Sequence, residues 1–127
     1  MTRWPRRAIR CAAVTDDRLA RLSATIRARR RADPESSYVA KLFARGRERI
    51  AQKVGEEAVE AVIAATRGDA EGLVGEAADL VFHLAVLLES LGLSFEDVLA
   101  ELERREGLSG LAEKAARSRV SPPKQGD

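Results

Sequence analysis

Between Arg47 and Gly92 the chain reads as two long amphipathic helices with almost nothing between them. Ile50, Val54, Ala58, Ala61, Val62 and Ala65 recur at helical spacing as far as Arg67, and Gly68 closes the segment. Asp69 is placed to cap a second stretch, roughly residues 70–91, in which Leu73, Ala77, Leu80, Leu84, Leu87, Leu88 and Leu91 are apolar before Gly92 stops it. A connection this short makes the two helices antiparallel neighbours. The remaining elements are read by what they add to that pair.

Downstream, Ser94-Phe95-Glu96-Asp97 resembles a capping box with Asp where Glu or Gln is usual, and Val98, Leu99 and Leu102 carry a further helix to about Arg105, before Gly107. Upstream, Thr15, Asp16 and Asp17 offer an N-cap, followed by Leu19, Leu22 and Ile26 at helical spacing. That helix is expected to end in the run Arg27 to Arg31, because cations suit the negative end of the helix dipole. Read alone, the run is a solvated helix end. Asp33 is then expected to cap the next helix with Pro34 in its first position, Tyr38, Leu42 and Phe43 forming a short apolar face and Gly46 a stop or hinge. Residues 1–14 lack periodicity and read as a basic flexible extension, and residues 118–127, with Pro122-Pro123, as a disordered tail. The expected architecture is all-α: an antiparallel helical bundle of four to five helices in one domain, residues 15–117.

Composition removes several function classes. A single cysteine, Cys11, excludes an internal disulfide and a cysteine-based zinc site. There is no apolar run near the roughly 20 residues that span a bilayer, and no apolar signal-peptide core, so a cytoplasmic protein without a membrane partner is expected. The net charge of +2 hides a segregation: residues 1–53 carry 15 Lys and Arg against 5 Asp and Glu, and residues 54–127 carry 7 against 15. A basic half raises nucleic acid as a partner. The acidic half of the same small domain, and the lack of aromatic-basic interleaving, argue against it. Lys and Arg beside carboxylates suit a small polyphosphate better.

The carboxylates themselves are the anomaly. Glu56, Glu57 and Glu60 on one long helix and Glu76 and Asp79 on the next lie in the segments richest in Ala, Val, Leu and Ile. Removing a charge from water costs several kcal/mol unless it is paired or bound to a metal. At about 100° per residue, Glu56, Glu60, Lys53 and Glu57 fall within one face about 100° wide, while Glu76 and Asp79, three apart, are neighbours on theirs. Antiparallel packing can bring the two faces together. A ligand set made only of Glu and Asp suits Mg²⁺, a hard cation that completes its shell with water and substrate phosphate. The di-iron bundle needs a Glu-x-x-His pair on each of two helices, and this chain has one histidine, His83. Set in Leu-Val-Phe-His-Leu-Ala-Val, His83 reads as a packed residue or one that orients a ligand rather than as a ligand. The plain alternative is that each acid belongs to a solvated face and that Lys41 and Lys53 are ordinary snorkelling lysines.

The pattern Glu56-Glu57-x-x-Glu60 followed by Glu76-x-x-Asp79 resembles the motif of the MazG-like all-α nucleoside triphosphate pyrophosphohydrolases. Ser37 to Gly46 (SYVAKLFARG), Ile50 to Ala64 (IAQKVGEEAVEAVIA), Glu76 to Leu84 and the later Glu101 to Arg105 are similar, within that superfamily, to the phosphoribosyl-ATP pyrophosphatases of histidine biosynthesis. The resemblance covers about residues 17–117. It implies Mg²⁺-dependent hydrolysis of 1-(5-phosphoribosyl)-ATP to the AMP derivative and pyrophosphate, and a homodimer whose subunits together complete the bundle. It also implies a metal set of Glu56, Glu57, Glu60, Glu76 and Asp79, with Glu57, Glu60 and Asp79 the candidates for catalysis. Lys41, Arg45 and Lys53 become substrate contacts. The cyclohydrolase often fused to this family has no counterpart here, and the chain reads as monofunctional. Two other functions fit the same residues: a house-cleaning pyrophosphohydrolase acting on ordinary or damaged nucleoside triphosphates, and a non-catalytic helical interaction module.

Overall fold

The computed structural model describes residues 16–106 and Arg117; the extension 1–14, Cys11, Gly107 and the tail 118–127 lie outside the described residues. Five helices follow one another in the described chain: α1 (Arg18–Arg29), α2 (Tyr38–Arg45), α3 (Arg47–Thr66), α4 (Ala70–Ser90) and α5 (Phe95–Arg105). No strand occurs among the described residues, as an all-α bundle requires. None of the five helices by itself is long and apolar enough to cross a membrane.

Local chemistry sets most boundaries. Asp69 accepts the Gly72 N–H at 2.9 Å and starts α4 as expected. Asp97 accepts the Ser94 N–H at 2.9 Å and starts α5, so aspartate serves in the capping-box position. Gly46, Gly68 and Gly92 all adopt positive φ, the left-handed conformation that ends a helix without a Cβ clash. The expected start of α2 is wrong. Asp33 instead organises a turn, its side chain accepting the Glu35 N–H and its carbonyl the Ser36 and Ser37 N–H groups, with Pro34 pre-set inside that turn. Ser37 is the true N-cap, accepting from Ala40 N at 3.2 Å. Likewise Asp17 makes no side-chain cap to α1, and Asp16 takes the Arg18 N–H instead.

α3 and α4 form an antiparallel hairpin joined through residues 67–69. So short a connection sets Glu57 opposite Asp79, Glu60 opposite Glu76 and Ile50 opposite Val86. A hydrogen bond from Arg47 Nη2 to the Ser90 carbonyl at 3.4 Å lies at the far end of the same register. The core occupies only that far end. Ile26 of α1, Val39 and Leu42 of α2, Ile50 of α3, Ala85 and Val86 of α4 and Phe95 of α5 make one buried cluster. Beyond it no other described helix covers the hairpin, and Val62 and Val74 are 60% and 71% exposed and Val59 and Ile63 are also exposed. Val62 and Ala65, both expected inside, therefore lie outside. The buried stripe of α3 is Ile50–Glu57–Ala64, a strict seven-residue repeat, and Val62 falls about 140° away from it. Leu91, Leu99 and Leu102 are exposed as well.

The arginine run does more than solvate a helix end. Glu89 is buried in the last turn of α4, where a carboxylate meets the negative end of the dipole. Arg27 Nε and Arg30 Nη1 approach its Oε1 at 3.3 and 3.8 Å. Arg30 Nη1 also donates to the Glu89 carbonyl at 3.0 Å, and its guanidinium lies 4.8 Å above the Phe43 ring. Arg30 thus ties α1 to both α4 and α2. Replacing it by alanine leaves Glu89 short of one cation and one helix-end carbonyl without a donor. We expect Arg30→Ala to lower stability by about 1–2 kcal/mol, its partial exposure discounting the ion pair, and the exposed neighbour Arg31→Ala by under about 0.5 kcal/mol. Urea unfolding midpoints at one protein concentration measure both.

Candidate metal centre

The acid site lies where the covered half of the hairpin ends. Glu57, at the centre of the buried stripe of α3, is 7% exposed. Across from it, Glu76 and Asp79 occupy successive turns of α4, Glu76 half-buried and Asp79 exposed. One carboxylate oxygen from each of Glu57, Glu76 and Asp79 lies within 4.8 Å of the others. Three oxygens converging at that separation could hold a hard cation.

Two of those carboxylates are poorly served by the protein. Glu57 Oε2 and Glu76 Oε2 are buried and have no hydrogen-bond partner. Two carboxylate oxygens can satisfy each other only if one of them carries a proton. The Glu76 carboxyl is accordingly pushed up to about 7, first by its hydrogen-bonding contact with Glu60, then by burial and by Glu57. Glu57 goes the other way. Burial acts to raise it, but the Lys53 ammonium, with contacts from Glu60 and Glu76, outweighs burial and holds it below the usual carboxylate range. Lys53 Nζ lies 3.3 Å from Glu57 Oε1 and 3.2 Å from Glu56 Oε2. Opposite shifts of neighbouring acids are common where carboxylates are crowded together at functional sites, and structural ion pairs produce them too.

The other expected site residues divide. Glu60 sits exposed beside Glu76, at the rim of the triangle. Glu56 is not in the converging group. It accepts from Gln52 Nε2 at 3.1 Å and faces Arg49 and Lys53, because it stands about 100° round the helix from Glu57. Lys53 reaches the site. Lys41 and Arg45 are exposed on α2, and neither makes an ion pair among the described residues.

His83 is packed, not a ligand. It is buried, its Nδ1 lies 2.8 Å from the Asp79 carbonyl and its Nε2 2.8 Å from the Tyr38 hydroxyl. A carbonyl only accepts, so Nδ1 donates to it. In the neutral ring Nε2 is then left to accept the Tyr38 proton. Tyr38, expected on an apolar face, instead projects its ring outward. That arrangement was invisible in the sequence, where Tyr38 and His83 are 45 residues apart. The Arg27–Arg30–Glu89 cluster was equally hidden, since nothing local distinguishes Glu89 from a solvated glutamate.

Comparison with known proteins covers the same part of the chain. The family model for phosphoribosyl-ATP pyrophosphohydrolase matches residues 19–106, which hold all five acids and Lys53. A protein of Rhizorhabdus wittichii named phosphoribosyl-ATP pyrophosphatase is 69% identical over 99 residues, covering 78% of this chain and 93% of its own. Proteins of the same name from Erythrobacter litoralis and Zymomonas mobilis are 67% and 61% identical, covering 78% and 82% of this chain and 95% and 97% of theirs. By this family match over residues 19–106 and these identities, the chain belongs to the phosphoribosyl-ATP pyrophosphohydrolase family.

Proposed function

We propose that this protein hydrolyses 1-(5-phosphoribosyl)-ATP to 1-(5-phosphoribosyl)-AMP and pyrophosphate, a step of histidine biosynthesis, and does so with Mg²⁺. The observation that carries the metal is the converging triangle of Glu57, Glu76 and Asp79 with two buried, partnerless oxygens. A divalent cation is what such oxygens lack. Glu57, Glu76 and Asp79 would hold it, with Glu60 at the rim and Glu56 facing Lys53 and Arg49 outside the triangle. When bound, Mg²⁺ supplies charge neutralisation on the phosphate oxygens and lowers the pKa of water.

The protein's own groups supply the rest. Lys53 holds the Glu57 carboxylate ionised and in place. Glu60, exposed and outside the triangle, is the carboxylate best placed to take the proton of the attacking water. The water oxygen bonds to one of the two phosphorus atoms flanking the α–β bridge and the bond from that phosphorus to the bridging oxygen breaks, expelling pyrophosphate from the α-phosphorus or phosphoribosyl-AMP from the β-phosphorus, with the same two products. Lys41 and Arg45, uncommitted on α2, can meet phosphate oxygens as the substrate closes over the site. The hydrolase domain occupies residues 15–117. A second copy of the chain would cover the bare hairpin, where Val59, Val62, Ile63 and Val74 form an apolar surface. The reading includes no nucleic-acid or membrane partner and places the protein in the cytoplasm.

Pyrophosphate release from phosphoribosyl-ATP, with and without Mg²⁺, tests the reaction. Turnover is expected only with the metal, and Glu57→Gln and Asp79→Asn should each lower kcat by about a hundredfold or more. Faster turnover of free nucleoside triphosphates would replace this reading with the house-cleaning one. Unchanged Mg²⁺ binding by both folded variants in calorimetry would leave a helical interaction module.

Acidity gives an independent check. In the metal-free protein the Glu76 carboxyl is raised from 4.5 to about 7, so its favourable contribution is present below pH 4.5 and is lost as pH rises through about 7. A cation needs the ionised form of the same group and gains affinity over that range. The rise in Tm produced by saturating Mg²⁺ should therefore be larger at pH 8 than at pH 6. Glu76→Gln should remove most of that difference.

A further inference from the structure

Beside the acid site is a cavity of about 430 Å³ that the metal chemistry leaves unused. Arg29 at the end of α1, Ser36 and Ser37 of the turn, Tyr38 of α2 and Phe82 of α4 line it. Its size is that of a small-molecule site. Phe82 lies three residues beyond Asp79 on α4, hence about 4.5 Å further along the same helix and on a neighbouring face. Two hydrogen bonds complete the connection, from the Asp79 carbonyl through the His83 ring to the Tyr38 hydroxyl.

The wall of this cavity is held rigid yet presented to solvent. The Tyr38 and Phe82 rings stack with centroids 6.0 Å apart and planes 17° from parallel. Phe82 in turn meets His83 edge-on at 5.2 Å. Tyr38 nevertheless stays 51% exposed, so part of its ring is open to solvent. A third ring inserted between the two would need centroids about 7 Å apart, and the free face of Tyr38 is therefore the one available for stacking. Arg29 is exposed and makes no ion pair among the described residues. The Ser37 hydroxyl oxygen accepts from Ala40 N, which leaves its proton to donate.

Resting on the reaction given above, we propose that this cavity is the selectivity subsite for the part of the substrate that stays with the nucleoside monophosphate. The adenine ring system stacks on the free face of Tyr38, backed by Phe82. Arg29, helped by the Ser37 hydroxyl, takes the phosphate of the added phosphoribosyl group, which ATP and AMP lack. The acid triangle then handles the triphosphate, common to any nucleoside triphosphate, and the cavity distinguishes one substrate from the rest.

The test compares equilibrium binding of phosphoribosyl-AMP and AMP to the full chain with Mg²⁺, by calorimetry. Wild type is expected to bind phosphoribosyl-AMP more tightly. Arg29→Gln should weaken phosphoribosyl-AMP by about tenfold, the loss of a charge-assisted phosphate contact, while changing AMP far less. Tyr38→Ala should weaken both ligands by about tenfold through lost stacking, and Tyr38→Phe, which keeps the ring, should restore most of that loss. Thermal melts of each variant separate a binding defect from unfolding. If folded Arg29→Gln weakens both ligands equally or neither, or folded Tyr38→Ala binds as wild type does, the subsite is overturned. Should wild type release no pyrophosphate from phosphoribosyl-ATP, the reaction itself fails, and that result is distinguishable from normal turnover with insensitive variants.

Discussion

Glu57 has to be buried for α3 to pack on α4, and a buried carboxylate has to be answered. It stands at the middle of the only continuous buried stripe on α3, between Ile50 and Ala64. Rotating the helix to free it would expose Ile50, the residue that ties α3 into the core. Hydrophobic packing and carboxylate burial are thus one constraint. Lys53, one turn earlier, answers one oxygen, and the second is left without a partner inside a group of three acids. That crowding of acids, with burial, raises the Glu76 carboxyl. The same helix register that builds the core therefore also creates a demand for positive charge.

The rest of the fold holds that hairpin at one end and leaves it open at the other. α1, α2 and α5 close over Ile50 and Val86, and Arg30 ties α1 to the end of α4 through Glu89 and to α2 through Phe43. The acids begin where this cover stops. A fully covered cluster could not admit any ligand, and a fully open one would leave Glu57 in water. Position along the hairpin sets the balance between the two. The aromatic wall of Tyr38 and Phe82 sits at the same boundary, joined to Asp79 through His83.

Much of the helix map could be read from local chemistry. Asp69, Ser94 with Asp97, and the glycines at 46, 68 and 92 mark ends through capping and left-handed backbone, which depend on a few adjacent residues. Asp33-Pro34 shows the limit of that reading. The pair suits a helix start and a β-turn equally, and three N–H groups returning to Asp33 settle it as a turn. The helical wheel placed five acids on faces that could meet. It could not say that the buried stripe runs through Glu57, which leaves Glu56 about 100° away and pairs it with Arg49, Gln52 and Lys53 instead.

What the sequence by itself determined was the all-α class, the antiparallel hairpin and the placing of two acid sets on its two helices. Those follow from periodicity, caps and spacing, all properties of neighbouring residues. Only the tertiary structure decided which acids converge, that His83 spans Tyr38 and Asp79, that Glu89 gathers Arg27 and Arg30, and that Val62 and Val74 face outward. Each of these depends on which face another helix covers. That is set by the whole pattern of packing, between residues tens of positions apart, and no local stretch of the chain records it.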